Sequence, residues 1–105
     1  MLELQQSAFR ALADTTRREI LLELANEDLT ISQVCDRFPI TRTAVKKHLT
    51  ILEEGNLISV HKIGRERVNR LEPAAMKPVV DWLGYFSQFW DEKLSDLATA
   101  IENDE

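Results

Sequence analysis

Thr30-Ile31-Ser32-Gln33-Val34-Cys35-Asp36-Arg37-Phe38, then Pro39-Ile40, then Thr41-Arg42-Thr43-Ala44-Val45-Lys46-Lys47-His48-Leu49-Thr50-Ile51-Leu52-Glu53-Glu54: the fold is decided in this stretch. Thr30 with Gln33 three residues on has the form of a capping box and opens a short helix. Val34, Cys35 and Phe38 point inward from it. Pro39 stops that helix, because a proline pushes the residue before it out of the α region. Thr41 caps a second helix that runs to about Glu54. Val45, Leu49 and Leu52, at i, i+4 and i+7, form its buried stripe. Two short helices across a tight turn have the spacing of a helix-turn-helix.

Working outward, the period changes after Gly55-Asn56. Leu57–Ile63 and Arg67–Leu71 read as short strands on either side of Gly64-Arg65-Glu66. They form a β-hairpin with basic arms and tip, a wing over residues 57–72, which Pro73 ends. A long helix follows over 77–102, with Pro78 tolerated in its first turn. Upstream, residues 2–12 read as a short helix with Leu2, Leu4, Ala8, Phe9 and Leu12 apolar. Asp14 caps the next, which runs to about Ala25 with Ile20, Leu21 and Leu24 on one face. The expected fold is α+β, mostly α: a winged helix-turn-helix with a two-stranded hairpin wing and a long C-terminal helix. A chain of 105 residues suffices for one such domain over 1–105 and is too short for two.

Charge is unevenly distributed. The net charge is −5, yet residues 41–70 hold seven of the 13 bases and three of the 18 acids, a local net of +4. The other residues carry a net of −9. A basic stretch in an acidic chain implies a local polyanion-binding face, with an ordinary solvated face as the plain alternative. On helix 41–54 the side away from the apolar stripe presents Arg42, Thr43, Lys46, Lys47 and Thr50. Such a face suits the major groove of double-stranded DNA: Arg and Lys reach guanine O6 and N7, and Thr meets base edges or the thymine methyl. In the hairpin, Lys62, Arg65 and Arg67 would hold the DNA backbone, with His61 beside them. Arg70 equally suits a structural ion pair.

Two segments carry a family resemblance. Phe9-Arg10-Ala11-Leu12-Ala13-Asp14-Thr15-Thr16-Arg17-Arg18-Glu19-Ile20-Leu21 resembles the opening signature of ArsR/SmtB-type bacterial transcriptional regulators. Ile40–Ile58 resembles their recognition-helix segment. The resemblance spans about residues 7–72. It implies a homodimeric winged helix-turn-helix repressor that binds a palindromic operator and leaves it when an effector arrives. Three positions depart from the family pattern. Thr15 stands where proline is usual, Pro39 replaces the turn glycine, and Lys46 replaces a frequent serine on the DNA face.

Many such regulators sense metals. At the positions of the family's cysteine pair this chain has Thr30 and Ser32, neither a soft ligand. On the last helix Asp81, Asp91 and Asp96 are present, but no histidine follows His61. No metal site and no cofactor is expected, so the effector is a non-metal or unknown one. Cys35, the only cysteine, reads as a small packing residue rather than a redox switch. His48, at the edge of the apolar stripe, reads as a packing and hydrogen-bonding residue. No nucleophile-base pair, phosphate loop or paired carboxylates emerges, so no catalytic residue is expected. No membrane span or signal peptide is visible, and a cytoplasmic location is expected. The alternatives to a DNA-binding regulator are a winged-helix protein-interaction module and a metal- or redox-responsive regulator.

Val79, Leu83, Phe86, Trp90, Leu94, Leu97 and Ile101 recur at spacings of three and four, a sustained seam for another helix. Five of the seven aromatics lie within residues 82–90. A helix of this length spans roughly 38 Å, more than a small winged core can cover. A second copy is expected on the rest, with Leu4 and Phe9 of the first helix joining the dimer interface. A contribution of the aromatics to an effector pocket is compatible with this. The acidity of residues 71–105 would keep this half off DNA.

Overall fold

Four capping side chains set where the helices begin. In the computed structural model, which describes residues 2–103 and the side chains of residues 6–102, α1 spans Leu2–Leu12 and α2 spans Thr15–Asn26. The Asp14 carboxylate accepts from the Arg17 amide and starts α2. Thr30 and Gln33 complete the reciprocal capping box at the start of α3, Ile31–Arg37. Thr41 accepts from the Ala44 amide and starts α4, Arg42–Glu54. Each cap satisfies an amide that the first helical turn leaves without a carbonyl partner.

The hairpin joins β2, Ile58–Ile63, to β3, Glu66–Leu71. Its two-residue turn, Gly64-Arg65, has φ +63° at Gly64, the position where a type II′ turn calls for glycine. The sheet has one strand more than the hairpin. Leu29–Thr30 forms β1 and pairs antiparallel with β3, giving the order β1-β3-β2. Two residues are too short for any periodicity, so nothing in the sequence announces β1. Asn69 anchors it: this buried side chain donates from Nδ2 to the Leu29 carbonyl at 3.1 Å.

The core lies where α1 to α4 meet the base of the sheet. Ile20, Leu24, Leu29, Val34, Val45, Leu52 and Leu57 are almost wholly buried. Cys35 and Phe38 are half-buried and pack against this cluster. Arg37 forms ion pairs with Glu23 and Glu27 and ties α3 to α2.

The C-terminal helix expected over 77–102 is present but divided. A 3-10 turn at Pro73–Met76 leads into α5, Lys77–Tyr85, and α6 covers Ser87–Asn103. The break falls at Phe86. There the amide bonds to Leu83 in a tighter turn, and the Ser87 hydroxyl donates to the Gly84 carbonyl at 2.8 Å. Gly84 is a poor helix former, and the serine hydroxyl competes for its carbonyl. Val79 alone of the expected seam is buried. Leu83, Phe86, Trp90, Leu94, Leu97 and Ile101 are exposed. Phe9 packs edge-to-face on Trp82, 5.5 Å between centroids, and joins α1 to α5. The side chain of Leu4 lies outside the described residues. α6 therefore forms an arm, and the radius of gyration is 18.1 Å, against roughly 13 Å for a compact chain of this length.

Candidate nucleic-acid interface

The helical period sorts α4 into two faces. Val45, Leu49 and Leu52 are buried, whereas Arg42, Thr43, Lys46, Lys47 and Thr50 are all exposed. Arg42 donates from Nη1 to the Ser32 hydroxyl at 3.2 Å, which links it to α3. The Thr50 hydroxyl donates to the Lys46 carbonyl at 2.9 Å, so its proton is committed and its oxygen remains an acceptor.

Strand register sorts the wing in the same way. Side chains alternate faces, and cross-strand partners share one. Val60 pairs with Asn69 and Lys62 with Arg67, which places these four on one face. Ser59, His61 and Ile63 share the other with Arg70, Val68 and Glu66. The first face looks onto α4 across a groove of about 550 Å³. Arg42, Lys46 and Thr50 line it from the helix, and Arg65 and Arg67 from the wing. Glu53 and Glu66 also border it, so it is basic with acids among its lining residues. Thr43 and Lys47 are exposed on α4 without lining the groove, and Lys62 is exposed on the wing.

Two features set this cationic surface apart. Lys62 and Arg67 are directly opposed across the hairpin, a like-charge pair that costs stability. Among the described residues, no ion pair engages Lys46, Lys47, Lys62, Arg65 or Arg67. The bases on the other face do have partners. Arg70 donates to Asp28 at 3.0 Å and serves as a structural ion pair. The Ser59 hydroxyl donates to Glu72 at 2.6 Å and lies 2.8 Å from His61 Nε2.

Thr30 and Ser32, at the positions where the resembled family carries cysteines, have structural work of their own. The Thr30 hydroxyl sits in the α3 capping box, and the Ser32 hydroxyl accepts from Arg42. On α5, Asp81 pairs with Lys77 at 2.7 Å. His48 is half-buried, with Nδ1 3.3 Å from Arg17 Nη1 and 3.9 Å from Asp14. The Arg17 amide holds the Asp14 carboxyl below its ordinary range, assisted by His48 and the Arg17 charge. Sequence reasoning missed Asn69 and the reach of Arg17. Asn69 stands between Val68 and Arg70, an ordinary place for a polar strand residue, so its burial had no signal in the sequence. The second depends on contacts between distant residues and had none.

Three kinds of likeness converge on this geometry. A helix-turn-helix domain family matches residues 12–61. The chain is 33% identical over 100 residues to the HTH-type transcriptional regulator Rv2034 of Mycobacterium tuberculosis, covering 92% of this chain and 88% of that protein. It is 30% identical over 88 residues to the transcriptional repressor SdpR of Bacillus subtilis, covering 84% of this chain and 98% of SdpR. Among solved structures, an ArsR-like transcriptional regulator from Rhodococcus sp. RHA1 superposes with a TM-score of 0.73 at 34% identity, covering 91% of each chain.

Proposed function

Because this chain belongs to the ArsR-type family of winged helix-turn-helix transcriptional regulators, we propose that it is a homodimeric repressor that reads a palindromic operator in double-stranded DNA. Arg42, Thr43, Lys46, Lys47 and Thr50 meet the major groove. Lys62, Arg65 and Arg67 hold the flanking backbone from the wing. The activity is binding, with no covalent step assigned to any residue. The carrying observation is the groove between α4 and the wing, with unpaired cations along both walls. A polyanion supplies the partners those cations lack, and counterion release then drives association.

The uncovered apolar side of α5 and α6 supports the dimer. Leu83, Trp90, Leu94, Leu97 and Ile101 are each more than half exposed, and a monomer seldom exposes so continuous an apolar stripe. A second copy covers it and supplies the second recognition helix that a palindrome requires. Repression accords with the name of SdpR. Release by a signal other than a metal accords with the hydroxyl groups of Thr30 and Ser32.

Selection of bound duplexes from a random library tests the whole reading. Two inverted half-sites about 10 base pairs apart are expected. Lys46→Ala should shift the selected sequence. Arg65→Ala should weaken all duplexes alike and lower the salt dependence by about one phosphate contact. No enrichment, together with no salt-dependent binding to random duplex, would refute the reading and leave a protein-interaction module in its place.

A further inference from the structure

The paired arginines Arg17-Arg18 lie in the opening motif, yet neither faces the groove. Each reaches back to the end of the preceding helix. Arg17 donates from Nε to the Ala11 carbonyl at 2.8 Å and from Nη2 to the Arg10 carbonyl at 2.9 Å. Arg18 donates to the Leu12 carbonyl at 2.7 Å. These carbonyls belong to the last turn of α1, where helix carbonyls run short of amide partners; the Ala13 amide also reaches the Arg10 carbonyl, at 3.2 Å, so Arg17 is a second donor there. The remaining Arg17 nitrogen, Nη1, points to a third element: it lies 3.3 Å from Nδ1 of His48, on α4 itself.

We propose that Arg17 is a positioning residue for DNA recognition: it locks α4 to the end of α1 through His48, and the lock holds only while the His48 ring is neutral. A guanidinium has donors and no acceptor, and it does not lose its proton in proteins. His48 Nδ1 must therefore accept, which leaves the ring proton on Nε2. A second proton on Nδ1 would set N–H against N–H and two positive charges side by side. The charged groups recorded at this ring are Arg17 and Asp14, both from the start of α2. Asp14, at 3.9 Å, is the group to which an imidazolium would turn. Either arrangement keeps α4 packed on its apolar stripe and against α1, but only the first ties it through Arg17 to the carbonyls at the end of α1. The inference rests on the DNA-binding reading above and adds a link from the proposed dimer helix to the recognition helix.

The test compares wild-type protein, His48→Gln and His48→Leu, binding a duplex recovered by library selection. The glutamine amide oxygen still accepts from Arg17 and does not titrate. His48→Leu should lose about tenfold in affinity at pH 7.5, and His48→Gln should restore most of it. Between pH 7.5 and 5.5 the wild-type affinity should fall about fivefold relative to His48→Gln. His61 is common to both proteins, so any effect of it cancels in that ratio. Parallel pH profiles for wild type and His48→Gln would overturn the proposal, whatever the leucine variant does. Amide hydrogen exchange over residues 42–50 separates this inference from the reading beneath it. Protection there should weaken on acidification in wild type and not in His48→Gln, without DNA present. Wild-type protein that shows this exchange but binds no duplex would sink the DNA-binding reading and leave the lock standing. Protection that does not change with pH in either protein would sink the lock.

Discussion

A methyl group added at Gly55 would lie 2.9 Å from the Ser7 carbonyl oxygen and 3.1 Å from the Ala11 side chain. Gly55 has an ordinary negative φ, so its value is the room it leaves for α1 to cross the end of α4. Gly55→Ala should destabilise by about 1–3 kcal/mol, as overpacking does. That outweighs the roughly 0.4–1 kcal/mol gained from a stiffer unfolded chain, and a lowered urea midpoint checks it. At Arg67 the sign reverses. Arg67→Thr removes the like-charge pair with Lys62 and should raise stability by about 0.2–1 kcal/mol. The same change should weaken duplex binding and lower its salt dependence by about one contact. Thermal melts beside a salt titration would show the trade, and stability lost together with affinity would contradict it.

The elements depend on local chemistry in proportion to their shortness. α3 is seven residues long, below the length at which a helix holds itself in water, so its capping box and core contacts decide whether it forms. Thr30→Ala should cost about 1 kcal/mol in chemical denaturation, while Thr30→Ser should cost little. A stability change below a few tenths for Thr30→Ala would mean that packing alone holds α3. The cap of α2 responds to pH. The native Asp14 carboxyl is held below its ordinary 3.8, first by the Arg17 amide. Its stabilisation is therefore complete above the unfolded value and is lost as pH falls through the depressed native one.

Across the whole molecule, charge and greasiness are separated along the long axis. The basic groove lies between α4 and the wing, and the acidic, aromatic-rich arm projects away, giving a longest extent of 62 Å. The arm is anchored by Val79 and by the ring contacts of Phe9, Trp82 and Phe86. From Ser87 to Glu102 its side chains are exposed. Leu94→Asp with Leu97→Asp should leave the winged core folded, because both side chains are solvent-facing in the single chain. Sedimentation should show a monomer, and affinity for a two-half-site duplex should fall by about 100-fold or more. A variant that stays dimeric would move the interface elsewhere.

Most of the fold was legible in the 105 letters because it rests on local rules. Thr30, Thr41 and Asp14 announce helix starts, Pro39 a stop, Gly64 a hairpin turn, and the spacing of Val45, Leu49 and Leu52 separates a buried face from a cationic one. Each of these acts over one or two turns of chain, so sequence neighbours suffice to read it. Tertiary structure alone decided the rest. It added β1 to β3 through Asn69, set Lys62 against Arg67, assigned Arg70 to Asp28, divided the last helix at Phe86, and joined Arg17 to His48. Most of these arise between residues far apart in the chain, where packing and register, rather than local propensity, determine which groups meet.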